Sequence, residues 1–238
     1  MRYLHFGSQW IQGAMRLRSP ERLELEYLQR MMAWLLFVAE PAQMLQIGVG
    51  AGALIRFCHR RLPATSVTAV ELSALVLAVA RQSFGLPPES ERLKLVIDDG
   101  AGWVARPANR GRYGVIAVDA FDAAARGPIL DSAEFYSDCR QALAPAGILV
   151  VNLFGEHRSL ERNRRRIKSA FDGRMIELTA PGRPNVIALA FAGPPLAIGW
   201  RALHARAALV ARKYGLPARN WVRALEQEGQ VGSVGFTI

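Results

Sequence analysis

The segment Met44-Leu45-Gln46-Ile47-Gly48-Val49-Gly50-Ala51-Gly52-Ala53 decides the fold of this 238-residue chain. Its apolar first half predicts a buried strand. Its glycines Gly48, Gly50 and Gly52 predict a turn where backbone can approach a ligand closely before a helix begins. A GxGxG turn is a weak signal alone, because glycine turns also serve tight packing. Its place at the start of a strand–helix series favours a nucleoside site.

Strands and helices alternate outward from this turn. The predicted strands span 44–48, 67–71, 93–97, 115–119 and 148–153, with closing strands at 175–178 and 186–191. The predicted helices span 53–61, 73–84, 132–143, 160–171 and 200–214. This alternation predicts an α/β, Rossmann-like, methyltransferase-type fold, in which helices cover both faces of a mostly parallel sheet.

Three parts of the chain are expected. We expect residues 1–19 to form a short N-terminal β-arm or hairpin. Residues 20–192 are expected to form the Rossmann-like nucleoside-binding catalytic domain. Residues 193–238 predict a helical tail packed on that domain. Ser19-Pro20-Glu21 resembles a helix start, and apolar residues at helical spacing predict that this helix continues to Phe37.

Acidic residues follow three of the predicted strands. Glu71 ends the second strand, about 20 residues after the glycine turn, where a carboxylate commonly binds ribose hydroxyls. Asp99, followed by Gly100, comes after the third strand, and Asp119 with Asp122 after the fourth. Helix capping could explain Glu71, and loop capping the two aspartates. Because these acidic residues all fall at strand ends, they favour a site at the carboxyl edge of the sheet, where α/β proteins bind ligands. A further strand that ends in acidic residues, here Asp98 and Asp99, is more typical of S-adenosylmethionine enzymes than of dinucleotide-binding enzymes.

Composition narrows the function classes. Cys58 and Cys139 form no CxxC pair and the four histidines no metal-ligand spacing, so neither a disulfide framework nor a metal site is expected. The formal net charge is +10, but the basic runs lie on amphipathic helices without a nucleic-acid-binding motif, so no specific nucleic-acid partner is predicted. No signal peptide or membrane-spanning apolar run occurs, which predicts a cytoplasmic protein.

The ordered motifs resemble the spermidine synthase (polyamine aminopropyltransferase) family over roughly residues 8–192. They are GxGxGA, Val-Glu-Leu, Asp-Asp-Gly-Ala, Asp-x-x-Asp…Gly-Pro…Phe-Tyr and Gly-Ile-Leu-Val-Val-Asn, preceded by Ile11-Gln12-Gly13 and the segment carrying Tyr27. The resemblance implies transfer of an aminopropyl group from decarboxylated S-adenosylmethionine to an amine such as putrescine. It also implies a possible homodimer.

The resemblance assigns roles by position. Glu71 would hold the ribose, and Asp99 with Gly100 would meet the adenine, near a loop containing Pro128. Asp119 would be the catalytic aspartate. The amine-site residues implied by the resemblance are Asp122, Gln12 and Tyr27.

Four departures keep two alternatives open. Ala51 replaces an aspartate that would hold the donor's ammonium, Leu28 replaces a polar residue, and Ala123 replaces a proline. The usual N-terminal β-domain is also reduced to fewer than 20 residues. A donor that keeps its carboxylate would suit Ala51, so an S-adenosylmethionine-dependent methyltransferase is the first alternative. A non-catalytic nucleoside-binding protein of the same fold is the second.

Overall fold

A computed structural model describes residues 1–5, 11–121, 130–227 and 235–238. The strands are β1 (Arg2–Leu4), β2 (Gly13–Met15), β3 (Gln43–Ile47), β4 (Ser66–Glu71), β5 (Leu93–Ile97), β6 (Tyr113–Val118), β7 (Leu143–Phe154), β8 (Met175–Leu178), β9 (Asn185–Phe191), β10 (Ala197–Gly199) and β11 (Gly235–Thr237). The helices are α1 (Glu26–Met31), α2 (Ala53–Arg61), α3 (Ala74–Phe84), α4 (Gly100–Val104), α5 (Ala133–Ala142), α6 (Leu160–Ala170), α7 (Trp200–Tyr214) and α8 (Ala218–Gln227). Two short 3-10 helices span Ala33–Leu36 and Pro107–Asn109.

The central sheet has seven strands in the order β5-β4-β3-β6-β7-β9-β8. The five strands from β5 to β7 are parallel, and β9 runs antiparallel to both β7 and β8. The order reverses at β3, which pairs with β4 on one side and β6 on the other. This mostly parallel sheet confirms the Rossmann-like prediction, and its switch point lies where such sheets bind ligands.

Alternating residues of the strands enter two separate cores, one on each face of the sheet. Met44 and Val115 point to the core that α2, α7 and α8 cover, whereas Leu45 and Ile116 point to the core under α5 and α6. Because helices cover both faces, the central strands are apolar almost throughout. The sheet is therefore a rigid base for the loops at its carboxyl edge.

The helix predicted from Ser19 to Phe37 is confirmed only in part. The α-helix begins at Glu26, after Leu25 in an extended conformation, and ends at Met31, and a 3-10 helix follows over Ala33–Leu36. Before Glu26 the predicted helix is wrong. In this non-helical segment Glu24 accepts two hydrogen bonds from the Arg16 guanidinium, at 2.9 and 3.0 Å.

The ends of the chain are organised around this sheet. β1 and β2 form an antiparallel hairpin, consistent with the arm expected over residues 1–19. In the tail, α7 matches the predicted helix, and α8, which the sequence analysis missed, buries Trp221 and Val222. No helix within the described ranges is long and apolar enough to cross a membrane. The division into three parts stays a prediction.

Candidate active site

The register of the sheet brings the polar strand ends together. Ile47 of β3 pairs with Val70 of β4 and with Val118 of β6. Consequently the residue after each strand lies at the same edge. The amide nitrogen of Asp119 donates to Ile47 at 2.9 Å, and the amide nitrogen of Gly48 donates to Val70 at 2.9 Å. The glycine turn, Glu71 and Asp119 are thus neighbours, as the sequence predicts.

The glycine turn requires glycine at two positions for different reasons. Gly48 has φ +83°, and a Cβ there would lie 2.3 Å from the carbonyl oxygen of Asp119. Gly52 has φ +70° and caps α2, where a Cβ would lie 2.6 Å from Leu86. Gly48 therefore permits close contact between the turn and the strand end that carries Asp119. Gly52, expected to contact the nucleoside, does not line the cavity and packs behind the turn.

A buried arginine, Arg56, is hydrogen-bonded to the backbone of the glycine turn. Its guanidinium donates to the carbonyl oxygens of Pro20 at 2.8 Å, Phe84 at 2.8 Å and Ala51. Burial lowers the pKa of Arg56 to about 10. Since all three acceptors are backbone oxygens, this side chain ties the turn to the preceding loop and to the end of α3.

Glu71 and Asp99 already carry structural hydrogen bonds. The Glu71 carboxylate accepts from the amide nitrogens of Val49 at 2.8 Å and Ser73 at 3.0 Å. Asp99 caps α4 by accepting from the amide nitrogen of Gly102 at 2.8 Å. These bonds fix both carboxylates at the cavity wall, and each carboxylate oxygen retains a lone pair for a ligand donor.

Asp119 is held by two side-chain donors. The hydroxyl of Tyr27 donates to Oδ2 at 3.2 Å, and Nδ2 of Asn152 donates to Oδ1 at 2.8 Å. Burial raises the pKa of Asp119, and the two hydrogen bonds lower it in part. Burial, together with the Asp119 charge, raises the pKa of Tyr27 well above its ordinary value, so this hydroxyl keeps its proton. The arrangement gives a basic carboxylate in a defined orientation.

The sequence analysis missed the amide pair behind Asp119. Nδ2 of Asn185 donates to Oδ1 of Asn152 at 3.0 Å, so Asn185 orients the amide that orients Asp119. Asn152 could have been found, because it is a polar residue that interrupts the apolar run of β7. Asn185 offers no comparable signal, since it reaches the site only through the antiparallel pairing of β9 with β7.

One cavity of about 1060 Å³ collects nearly all of the expected residues. Those in its wall are Gln12, Tyr27, Gly48, Gly50, Glu71, Asp99, Gly100 and Asp119. Gly100 is needed there because a Cβ would lie 2.5 Å from Ile47. Asp122 and Pro128 lie outside the described residues. The roles of all these residues stay predictions.

The N-terminal hairpin covers the glycine turn. A Cβ on Gly13 of β2 would lie 2.4 Å from Cβ of Ala51, so the hairpin and the turn are in direct contact. Next to this contact, Nε2 of Gln12 is buried without a hydrogen-bond partner, although Gln12 lines the cavity. A buried amide without a partner is costly unless a ligand supplies one. Because Gln12 lines the cavity, its expected place in the amine site stays a prediction.

We expect Tyr27→Phe to lower kcat about tenfold, the effect of about 1.4 kcal/mol from one lost hydrogen bond to a charged group. Because the Tyr27 hydroxyl lowers the pKa of Asp119, its removal should also move the acidic limb of the rate profile to higher pH. The pH dependence of kcat/KM in both proteins is the measurement. An unchanged acidic limb would contradict this role, and Tyr3→Phe, on the exposed outer hairpin, is the control.

Comparison with known proteins extends these observations. The spermine/spermidine synthase domain model matches residues 26–179. The polyamine aminopropyltransferase of Chromobacterium violaceum is 37% identical over 230 residues, which cover 97% of this chain and 87% of that protein. Human methyltransferase-like protein 13, solved in complex with SAH, superposes with a TM-score of 0.71 at 26% identity, covering 81% of this chain and 94% of that one. A probable spermidine synthase from Corynebacterium glutamicum gives 0.70 at 22% identity, covering 96% and 87%, which supports the fold alone.

The fold is Rossmann-like, and the similarity to polyamine aminopropyltransferases defines the class of the protein as a transferase. The family match covers more than half of the chain, and the curated relative is similar over nearly its whole length. The chain belongs to the spermine/spermidine synthase family. This confirms the resemblance drawn from the ordered motifs.

Proposed function

We propose that the protein transfers an aminopropyl group from decarboxylated S-adenosylmethionine to a primary amine. The observation that carries this proposal is the Asp119 carboxylate, which is oriented by Tyr27 and Asn152 beside the glycine turn. A carboxylate with a raised pKa, adjacent to the expected nucleoside, is suited to accept a proton from an alkylammonium. The family membership supports the same activity.

The chemistry requires a deprotonated amine. At neutral pH an alkylamine is protonated, so Asp119 first attracts the ammonium and then takes or relays its proton. When bound, the donor supplies an electrophilic carbon next to a sulfonium. The acceptor nitrogen forms a bond to that carbon as the C–S bond breaks, and the electron pair of that bond leaves on sulfur as methylthioadenosine. Tyr27 and Asn152 keep Asp119 aligned throughout.

The residues in the cavity wall fit such a donor. We assign Glu71 to the ribose hydroxyls and Asp99 to the adenine, because both line the cavity beside the glycine turn. Where a family member would hold the donor's ammonium with an aspartate, Ala51 contributes a methyl group under the hairpin. We therefore propose that donor affinity derives chiefly from the nucleoside.

Calorimetry with the intact protein tests the donor. We expect methylthioadenosine and decarboxylated S-adenosylmethionine to bind within about tenfold of each other, a difference of about 1.4 kcal/mol or less, because the aminopropyl end lacks its ion pair. S-adenosylmethionine should bind more weakly. Tighter binding of S-adenosylmethionine would instead support a methyltransferase, an alternative that the polyamine aminopropyltransferase relatives do not favour.

Turnover tests the transfer itself. Incubation with the decarboxylated donor and a panel of primary amines, putrescine among them, should release methylthioadenosine and the aminopropylated amine in equal amounts. Absence of both products with every amine would refute the proposal. A cytoplasmic location and a homodimer are further parts of this proposal, to be tested by fractionation and by light scattering.

A further inference from the structure

The cavity wall contains a buried positive charge that the proposed chemistry does not use. Arg30 lies one helical turn after Tyr27, so both side chains share one face of α1. Both line the cavity, and Arg30 is only 3% exposed. Burying a guanidinium beside a site for cationic amines calls for an explanation.

No carboxylate of the described residues forms an ion pair with Arg30. Its Nη1 donates to the carbonyl oxygens of Leu178 at 3.3 Å and Asn185 at 3.2 Å, which tie together the facing ends of β8 and β9. Its Nε has no hydrogen-bond partner. Backbone carbonyls carry no formal charge, so they satisfy donors without neutralising the guanidinium. Arg30 therefore retains its charge in the cavity wall.

Glu26 attracts the Arg30 charge and Arg183 repels it, so the nearby charged groups offset this charge only in part. Glu26 and Arg183 also line the cavity, but they form an ion pair with each other at 3.0 Å. Glu24 is held by Arg16 at 2.9 Å. With Glu26 matched by Arg183, the end of the cavity that contains Arg30 keeps one net positive charge. The second ammonium of a diamine would meet repulsion there.

We propose that the acceptor is a primary amine whose other end is an anion, a carboxylate or a phosphate. The amine lies at Asp119 and Tyr27, and the anion pairs with Arg30, whose guanidinium suits either oxyanion. This inference rests on the proposed aminopropyl transfer and narrows its acceptor. It departs from putrescine, the acceptor that the family resemblance implies.

The reaction stays balanced with such an acceptor. Its amine nitrogen loses one proton to Asp119 and forms the bond to the aminopropyl carbon. The C–S bond breaks and its electron pair leaves on sulfur. The product is the N-(3-aminopropyl) derivative of the amino acid or aminoalkyl phosphate. The anionic end takes no part in the bond changes and contributes binding energy alone.

Matched acceptors test the inference in the intact wild-type protein. Aminocarboxylates of three to six carbons, with the amine at the far end, are compared with diamines of equal length and with 3-aminopropyl phosphate. We expect kcat/KM for the best anionic acceptor to exceed that of every diamine by about tenfold or more, the ratio that about 1.4 kcal/mol produces. Comparing the carboxylate with the phosphate distinguishes the two anions.

Arg30→Met and Arg30→Lys separate charge from packing. We expect Arg30→Met to raise KM for anionic acceptors about tenfold and to improve the diamines, with Arg30→Lys restoring the wild-type order. Methylthioadenosine affinity should not change in either variant, which also verifies that the proteins are folded. A wild-type preference for diamines, or equal losses with all acceptors in Arg30→Met, would overturn the inference while leaving aminopropyl transfer intact. Absence of transfer to any amine would overturn both.

Discussion

Asp119→Asn is expected to reduce turnover by about 10²–10⁴-fold, the contribution typical of a general base. The substitution preserves the shape of the side chain, so Oδ1 can still accept from Asn152, as it does at 2.8 Å in the wild type. What it removes is the capacity to attract an ammonium and accept its proton. Methylthioadenosine affinity should change less than about threefold, since the nucleoside is assigned to Glu71 and Asp99 and not to Asp119.

The same variant should be more stable at neutral pH. The folded-state pKa of Asp119 lies above its ordinary value because of burial. Such a group favours folding when it is protonated, and that contribution is lost as pH rises through the folded-state pKa. At neutral pH the buried carboxylate therefore costs stability, which asparagine avoids. We expect the Tm to rise by about 2–4 °C at pH 7, as about 1 kcal/mol would produce, and by less near pH 4.

Thermal unfolding and single-turnover rates check both expectations. Asp172→Asn is a matched control, because Asp172 is a largely exposed aspartate with φ +54°, a conformation that asparagine tolerates. It should keep full turnover. An Asp119→Asn enzyme with more than a tenth of the wild-type rate would show that another group takes the proton.

Among substitutions that add one methyl group on the nucleoside side of the site, Gly48→Ala should reduce stability the most. The new Cβ would lie 2.3 Å from the Asp119 carbonyl oxygen, a backbone atom that cannot move without shifting β6. The residue also has φ +83°, which is strained for alanine. Adding the two effects, we expect a loss of roughly 2–5 kcal/mol in the free energy of unfolding.

Function should suffer with stability in this variant. Any relief of the contact separates the glycine turn from Asp119, so both nucleoside affinity and turnover should fall. Gly111→Ala is the control: its φ is +63°, but no atom lies within 4 Å of the added Cβ. It should lose only about 1–2 kcal/mol, the cost of the left-handed conformation alone. Denaturant unfolding of the two variants measures the difference, and equal losses would contradict the close-contact argument.

Much of the site follows from local sequence. A strand that must be buried is apolar, so the polar residues Glu71, Asp99 and Asp119 are conspicuous where the strands end. Parallel strands place their carboxyl ends at one edge, which makes convergence of these residues predictable without coordinates. The glycine turn could also be located from the sequence, although Gly52 does not line the cavity.

Other features could not be predicted because their partners are distant in sequence. The Tyr27–Asp119 hydrogen bond spans 92 residues, and the Asn152–Asn185 pair requires the antiparallel strand β9. The predicted helix start at Ser19 is also wrong: Leu25 is extended and the helix begins at Glu26, although local periodicity favours an earlier start.

The sequence by itself determined the family, the alternating fold and the acidic edge of the sheet, because periodicity and motif order are local properties of the chain. Only the tertiary structure decided how Asp119 is oriented and that Arg30 leaves an unmatched positive charge in the cavity wall. Burial and pairing are properties of neighbours in space. The sequence of a short helix does not show whether its arginine is buried or paired. Both depend on the sheet, which brings Leu178 and Asn185 beside Arg30.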